Sequence, residues 1–195
     1  PDVILEETVP GEDLRVILVG GELAQAIRRH PAAVTGDGLH TVSQLIRRQN
    51  ARRRQEDPSN VIPWNAETRR NLAELGHPTG EVPAVGERVR VRLTNNYHTG
   101  GTLDIVTGQV PPRALALAQR IARDLRLPLV GVDFLIHRHR CTVIEVSPDM
   151  AISPPEGETV AKRFLDYLFP NTATGLSDTE AGGCTPANRG VCPYA

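Results

Sequence analysis

Leu129-Val-Gly-Val-Asp-Phe-Leu-Ile-His137 and Cys141-Thr-Val-Ile-Glu-Val-Ser147 are the two runs whose reading decides the fold. Both alternate like strands. On the first, Val130, Val132, Phe134 and Ile136 share one face and Asp133 points away from them; on the second, Glu145 points away from Thr142, Ile144 and Val146. With Arg138-His139-Arg140 as the turn, His137 faces Cys141, Leu135 faces Val143 and Asp133 faces Glu145. Two carboxylates so placed repel each other, and a cation between them relieves the repulsion. Hard oxygen ligands suit Mg²⁺. An ordinary amphipathic hairpin with its acids on a wet face fits the same alternation.

The flanking sequence supplies more hairpins. Val3 to Val9 is a short extended run ending at Pro10-Gly11. Leu14–Val19 and Glu22–Ile27 surround Gly20-Gly21, a loop suited to the positive φ angles of a tight turn. Thr35-Gly-Asp-Gly38 leads to a helix from near Thr41 with Val42, Leu45 and Ile46 on one face. Arg47, Arg48, Arg52, Arg53 and Arg54 extend it as a basic patch, either a solvated helix end or an anion site. Asn65 can cap a helix that stops at Gly76. Glu87–Leu93 alternates as a half-exposed strand, and Thr94–Thr102 reads as a polar loop. Pro111-Pro112 opens a helix carrying Leu115, Ala118, Ile121, Ala122 and Leu125, which Pro128 ends. A last helix spans Thr159–Leu168. Hairpins without regular crossovers predict an α+β fold, a mainly antiparallel sheet flanked by helices, over residues 1–170. The Thr, Gly, Ser, Ala and Pro content of 171–195 predicts a flexible tail.

Composition narrows the function. The 195 residues are 39% hydrophobic and 23% charged, with net charge −1 and only 4% aromatic. A sequence pI near 6.7 with so few stacking rings argues against a nucleic-acid partner. No apolar run approaches the roughly 20 residues of a membrane span, and no secretion signal opens the chain, which together predict a cytoplasmic protein without a membrane partner. Cys141 reads as a small packed hydrophobe. Cys184 and Cys192 lie in the tail without a second ligand pair at zinc-site spacing. The chain starts without methionine inside a strand-like run, so it reads as a piece of something longer.

Taken in order, these residues resemble a family. Leu5-Glu-Glu-Thr-Val-Pro-Gly-Glu-Asp-Leu-Arg-Val16 looks like the nucleotide hinge of ATP-grasp ligases. Val34-Thr-Gly-Asp-Gly-Leu-His-Thr-Val42, Asn96-Tyr-His-Thr-Gly-Gly101, Gly131-Val-Asp133 and Ile144-Glu-Val146 follow in the family's order. The resemblance covers about residues 3–170, the C-terminal half of an ATP-grasp unit. It is strongest to N-acetylglutaminylglutamine synthetases, then to cyanophycin synthetases and ribosomal-protein glutamate ligases.

The resemblance implies an ATP-dependent carboxylate–amine ligase that joins amino acids or peptides through an acylphosphate, with ATP and Mg²⁺ as its cofactors. It places Glu6, Glu7 and Val9 at adenine, Asp13 at the ribose hydroxyls and Arg15 at phosphate or a substrate carboxylate. His98, Thr99, Gly100 and Gly101 would lie at the phosphates and acyl acceptor, where glycines leave backbone N–H groups open to an anion. Asp133, Glu145 and Ser147 would hold the metal. The family's N-terminal lobe, with its ATP-binding lysines, is absent from this chain and would be its partner; homo-oligomerisation stays open. Two positions depart from the pattern. Ser147 stands where an asparagine is usual, with Asp149 as a compensating oxygen donor, and Leu93 stands where relatives often carry a basic residue. These departures suit an alternative, a degenerate lobe kept as a nucleotide-binding or protein-interaction module.

Overall fold

In a computed structural model that describes residues 3, 5, 7–149 and 157–170, the predicted hairpins organise the main sheet. Strands β1 (Glu12–Val19) and β2 (Glu22–His30) flank Gly20 and Gly21 at φ +59° and +83°, the turn the glycine pair calls for. Strands β6 (Leu129–His137) and β7 (Arg140–Ser147) form the second hairpin. Three short strands, β3 (Ala33–Thr35), β4 (Arg88–Arg90) and β5 (Thr102–Ile105), complete the set. The antiparallel five-stranded sheet has the order β5-β2-β1-β6-β7, and β3 pairs with β4 separately, Val34 facing Val89. With four helices, the α+β class stands.

Three expectations shift. The run from Val3 to Val9 holds no strand among its described residues, and β1 instead starts just beyond Gly11, at Glu12. The strand expected over Glu87–Leu93 is reduced to Arg88–Arg90. The turn between β6 and β7 is two residues, Arg138-His139, with Arg138 at φ +53°.

Two compact units divide the chain. The first comprises Pro1–Leu14, Arg28–Asp104 and Leu135–His139. Its core gathers Val34, Val42, Leu45, Ile46, Ile62, Leu72, Val89 and Val91. Helix α1 (Val42–Glu56) enters this core because Thr41 caps it: the Thr41 hydroxyl accepts from Gln44 N–H at 3.3 Å and the Gln44 amide accepts from Thr41 N–H at 2.8 Å. Helix α2 (Ala66–Glu74) is capped by Asn65, whose carbonyl accepts from Thr68 N–H at 3.0 Å, and ends at Gly76 with φ +78°.

The second unit comprises Arg15–Ile27, Ile105–Phe134 and the described residues from Arg140 onward; the tail expected over 171–195 lies outside the described residues. Its strands bury Val16, Leu18, Ala26, Val130, Val132 and Phe134. Helix α3 (Pro112–Asp124) packs through Ala114, Ala118 and Ala122 rather than the larger residues of its apolar stripe, and Leu125 is left 56% exposed. Helix α4 spans Gly157–Leu168. Among the described residues no helix is long and apolar enough to cross a membrane.

Candidate functional site

The second unit brings together two residues that the sequence assigned to separate tasks. Arg15 on β1 donates to Asp133 on β6 through both arms of its fork, Nε to Oδ1 at 2.7 Å and Nη2 to Oδ2 at 2.8 Å. Asp133 is 3% exposed. Burying an isolated carboxylate is costly, and a bidentate guanidinium is the side chain best shaped to offset that cost. Arg15, expected at phosphate or a substrate carboxylate, is paired here with Asp133. On β7, Glu145 is exposed and its Oε1 accepts from the Ser147 hydroxyl at 3.0 Å. Asp149 is exposed as well.

These side chains suit a hard divalent cation by chemistry. Asp133, Glu145 and Ser147 offer only oxygen, the donor set that Mg²⁺ and Ca²⁺ prefer. Glu145 gives the more open carboxylate, and the Ser147 hydroxyl, by donating to it, orients it.

In the first unit, Asp13 is likewise paired. Its Oδ1 accepts from Arg29 Nε at 2.7 Å and its Oδ2 from Asn95 Nδ2 at 3.2 Å. Glu7 is exposed and Val9 half-buried, outside any strand, while Glu6 lies outside the described residues.

The segment Asn96–Gly101 corrects one expectation. The backbone N–H groups of residues 98–101 are not open to an anion, because each of these four already donates within the loop. His98 N–H donates to the Asn96 side chain at 2.8 Å, Thr99 N–H and Gly101 N–H to the Asn96 carbonyl at 3.1 Å each, and Gly100 N–H to the Tyr97 carbonyl at 3.0 Å. Asn96 is thus the cap of a single 3₁₀ turn, Tyr97–Thr99. The glycines answer to packing. Gly100 has φ +88°, and a Cβ there would sit 2.3 Å from Ile62 Cγ1; a Cβ on Gly101 would meet the Asn96 and His30 carbonyl oxygens at 2.8 Å. What the loop presents is the exposed His98 ring, set edge-on to Tyr97.

A buried amide network underlies that loop, and motif reading missed it. Asn50 on α1 clasps Ile62 from both sides, donating to its carbonyl and accepting from its N–H at 2.8 Å each. Arg53 donates to the Asn60 side-chain oxygen, and Asn60 Nδ2 donates to the Gly101 carbonyl at 3.2 Å. Burial lowers the Arg53 pKa below its usual value. One member of the basic patch is thus interior rather than solvated. The helical spacing of Asn50 and Arg53, three residues apart on α1, was the available signal. Tyr97 donates to Asp57, whose pKa is held low by the Ser59 hydroxyl, the Ser59 N–H and Tyr97.

The loop before α1 is also ordered by an acid. Asp37 accepts from His40 N–H at 2.8 Å and Leu39 N–H at 3.0 Å, which hold its pKa at about 2. The His40 ring lies 2.6 Å from Asp37 through Nδ1 and 3.0 Å from Arg48 through Nε2. An arginine can only donate, so Nε2 accepts and the ring proton sits on Nδ1. Near Leu93, Arg92 is 4% exposed and pairs with Glu67 at 2.9 Å, and Arg90 donates to the Arg92 and Leu93 carbonyls. Neither arginine replaces the basic residue absent at Leu93.

The order of the motifs resembles that of the C-terminal lobe of ATP-grasp ligases, and the comparisons with known proteins agree with that resemblance. Cyanophycin synthetase of Trichormus variabilis is 29% identical over 208 residues, 96% of this chain and 23% of that protein. Cyanophycin synthetase of a Nostoc species is 30% identical over the same length. The glutathione biosynthesis bifunctional protein GshAB of Streptococcus thermophilus is 28% identical over 192 residues, 89% of this chain and 26% of that protein. Among solved structures, a bifunctional glutathione synthetase from Pasteurella multocida superposes with a TM-score of 0.66 at 24% identity, covering 85% of this chain and 25% of that one. The chain thus spans about a quarter of the length of these relatives. No protein-family model matches it.

Proposed function

We propose that this chain is the C-terminal catalytic portion of an ATP-dependent ligase that joins a carboxylate to an amine, with amino acids or a peptide as substrates. The observation that carries the reading is the placement of Gly131-Val-Asp133 and Ile144-Glu-Val146 on adjacent strands of an ATP-grasp lobe. The relatives named as synthetases support it. In the proposed reaction a substrate carboxylate oxygen attacks the γ-phosphorus, the bond from that phosphorus to the β-γ bridging oxygen breaks, and ADP leaves. The amine nitrogen then attacks the acyl carbon, phosphate departs, and the nitrogen loses a proton.

The chain's own part is positioning and charge control. Glu145, Asp133 and Ser147 would hold Mg²⁺, which when bound neutralises charge on the phosphates. Arg15 fixes the plane of the Asp133 carboxylate through both arms of its fork. Asp13, held by Arg29 and Asn95, presents a carboxylate in a set orientation to a ribose. No side chain need act as a nucleophile, so Cys141 and Ser147 have no covalent task. The rest of the ligase, with a second lobe to close over ATP, belongs to the same proposal, as does a cytoplasmic setting, where ATP is plentiful.

A second reading, a lobe kept as a binding module, is favoured by the four internally satisfied N–H groups of residues 98–101. Hydroxylamine separates the two. Added to the longer protein containing this chain, with ATP, Mg²⁺ and candidate amino acids, it should intercept the acylphosphate as a hydroxamate, and Glu145→Ala should remove that product. Nucleotide binding without hydroxamate for any amino acid supports the module instead.

A further inference from the structure

We propose that His77, Glu81 and Glu87 form a site for a first-row divalent metal ion of the zinc type, independent of the nucleotide reading. One ligand atom from each residue, an imidazole nitrogen and two carboxylate oxygens, lies within 4.8 Å of the others. Ligands held about 2.0–2.2 Å from a zinc ion stand roughly 4 Å apart or less, so closure needs only small side-chain rotations. His77 Nδ1 already lies 3.0 Å from Glu81 Oε2.

The backbone fixes all three positions before any ion arrives. His77 N–H donates to the Leu72 carbonyl at 2.8 Å as α2 ends, the Glu81 carbonyl accepts from Val42 N–H at 2.9 Å, and the Glu87 carbonyl accepts from Gly36 N–H at 2.8 Å. Glu87 Oε2 is oriented by Ala84 N–H at 2.8 Å. These residues are half-buried, so their charges are only partly solvated.

Charge is the second, independent argument for a cation. Of the other enclosed acids among the described residues, Asp13 meets Arg29, Asp133 meets Arg15 and Glu67 meets Arg92, while Asp37 and Asp57 each collect several N–H or hydroxyl donors. Glu81 and Glu87 converge with only an imidazole between them, and no arginine or lysine among the described residues forms an ion pair with either. Mixed nitrogen and oxygen donors favour zinc and its neighbours over magnesium, which keeps to oxygen. The ion would tie the segment that follows α2 to the start of β4, its remaining positions filled by water.

Calorimetric titration of zinc chloride into the full chain tests this, with Cys184→Ser and Cys192→Ser in place so that tail thiols do not compete. One ion per chain is expected, with Tm rising as zinc is added. His77→Ala, Glu81→Gln and Glu87→Gln should each weaken binding by more than about tenfold. The two Glu→Gln changes preserve shape and decide the matter if His77→Ala fails to fold. Absence of binding up to about 1 mM zinc, or equal binding by the Glu81→Gln and Glu87→Gln variants, overturns the site.

Discussion

Arg15→Ala should destabilise the chain by about 3 kcal/mol, the lower end of the range for stripping one partner from a buried ion pair. The reason is what stays behind. Asp133 is 3% exposed, and both its oxygens accept from the same guanidinium at 2.7 and 2.8 Å. Removing the fork strips a buried carboxylate of two charge-assisted hydrogen bonds where water offers little replacement. The lower end applies because the Arg15 side chain is 22% exposed, so water can approach from its side. Arg15→Lys should fall between the two, since a single ammonium keeps the charge but cannot serve both oxygens at once. Urea unfolding at neutral pH measures the effect as a drop in midpoint at constant slope. Equal midpoints for wild type and Arg15→Ala would show that the pair does not support the fold.

Gly100→Ala should cost about 2–5 kcal/mol, the sum of roughly 1–2 for a side chain at left-handed φ and 1–3 for overpacking. The backbone sits at φ +88°, and the new Cβ would lie 2.3 Å from Ile62 Cγ1 and 3.1 Å from Ile62 N. Ile62 cannot retreat easily, because it is 1% exposed and Asn50 holds its backbone on both sides. Gly21→Ala is the control: φ is +83° but nothing lies within 4 Å of its Cβ, so only the backbone term of about 1–2 kcal/mol remains. Pairing Gly100→Ala with Ile62→Ala should recover part of the loss, a non-additivity that thermal or urea unfolding reads directly. Additive losses would mean that the two residues do not press on each other.

Features set by neighbouring residues are legible in the amino-acid sequence. Gly20-Gly21 marks its own turn, and Thr41 and Asn65 mark their own helix starts, because a turn or a cap involves residues only two or three apart. Features set by distant residues are not. Strands β3 and β5 are three and four residues long, too short for alternation to register, and they exist because a partner elsewhere in the chain takes up their hydrogen bonds. The Arg15–Asp133 pair spans 118 positions, so no local spacing announces it. Gly100 and Gly101 give a misleading signal: a glycine that makes room for Ile62 looks the same in sequence as one that makes room for a phosphate. Asn96 carries the warning, since an asparagine heading a short turn often satisfies the following N–H groups itself.

Whether Asp133 and Glu145 mark a working magnesium–nucleotide lobe is tested most directly by calorimetry of ATP binding to this chain, with and without Mg²⁺, beside Glu145→Ala. The expected result is binding that requires Mg²⁺ and is lost in the variant while its circular dichroism stays unchanged. Binding of ATP that ignores both Mg²⁺ and the Glu145→Ala change would contradict it.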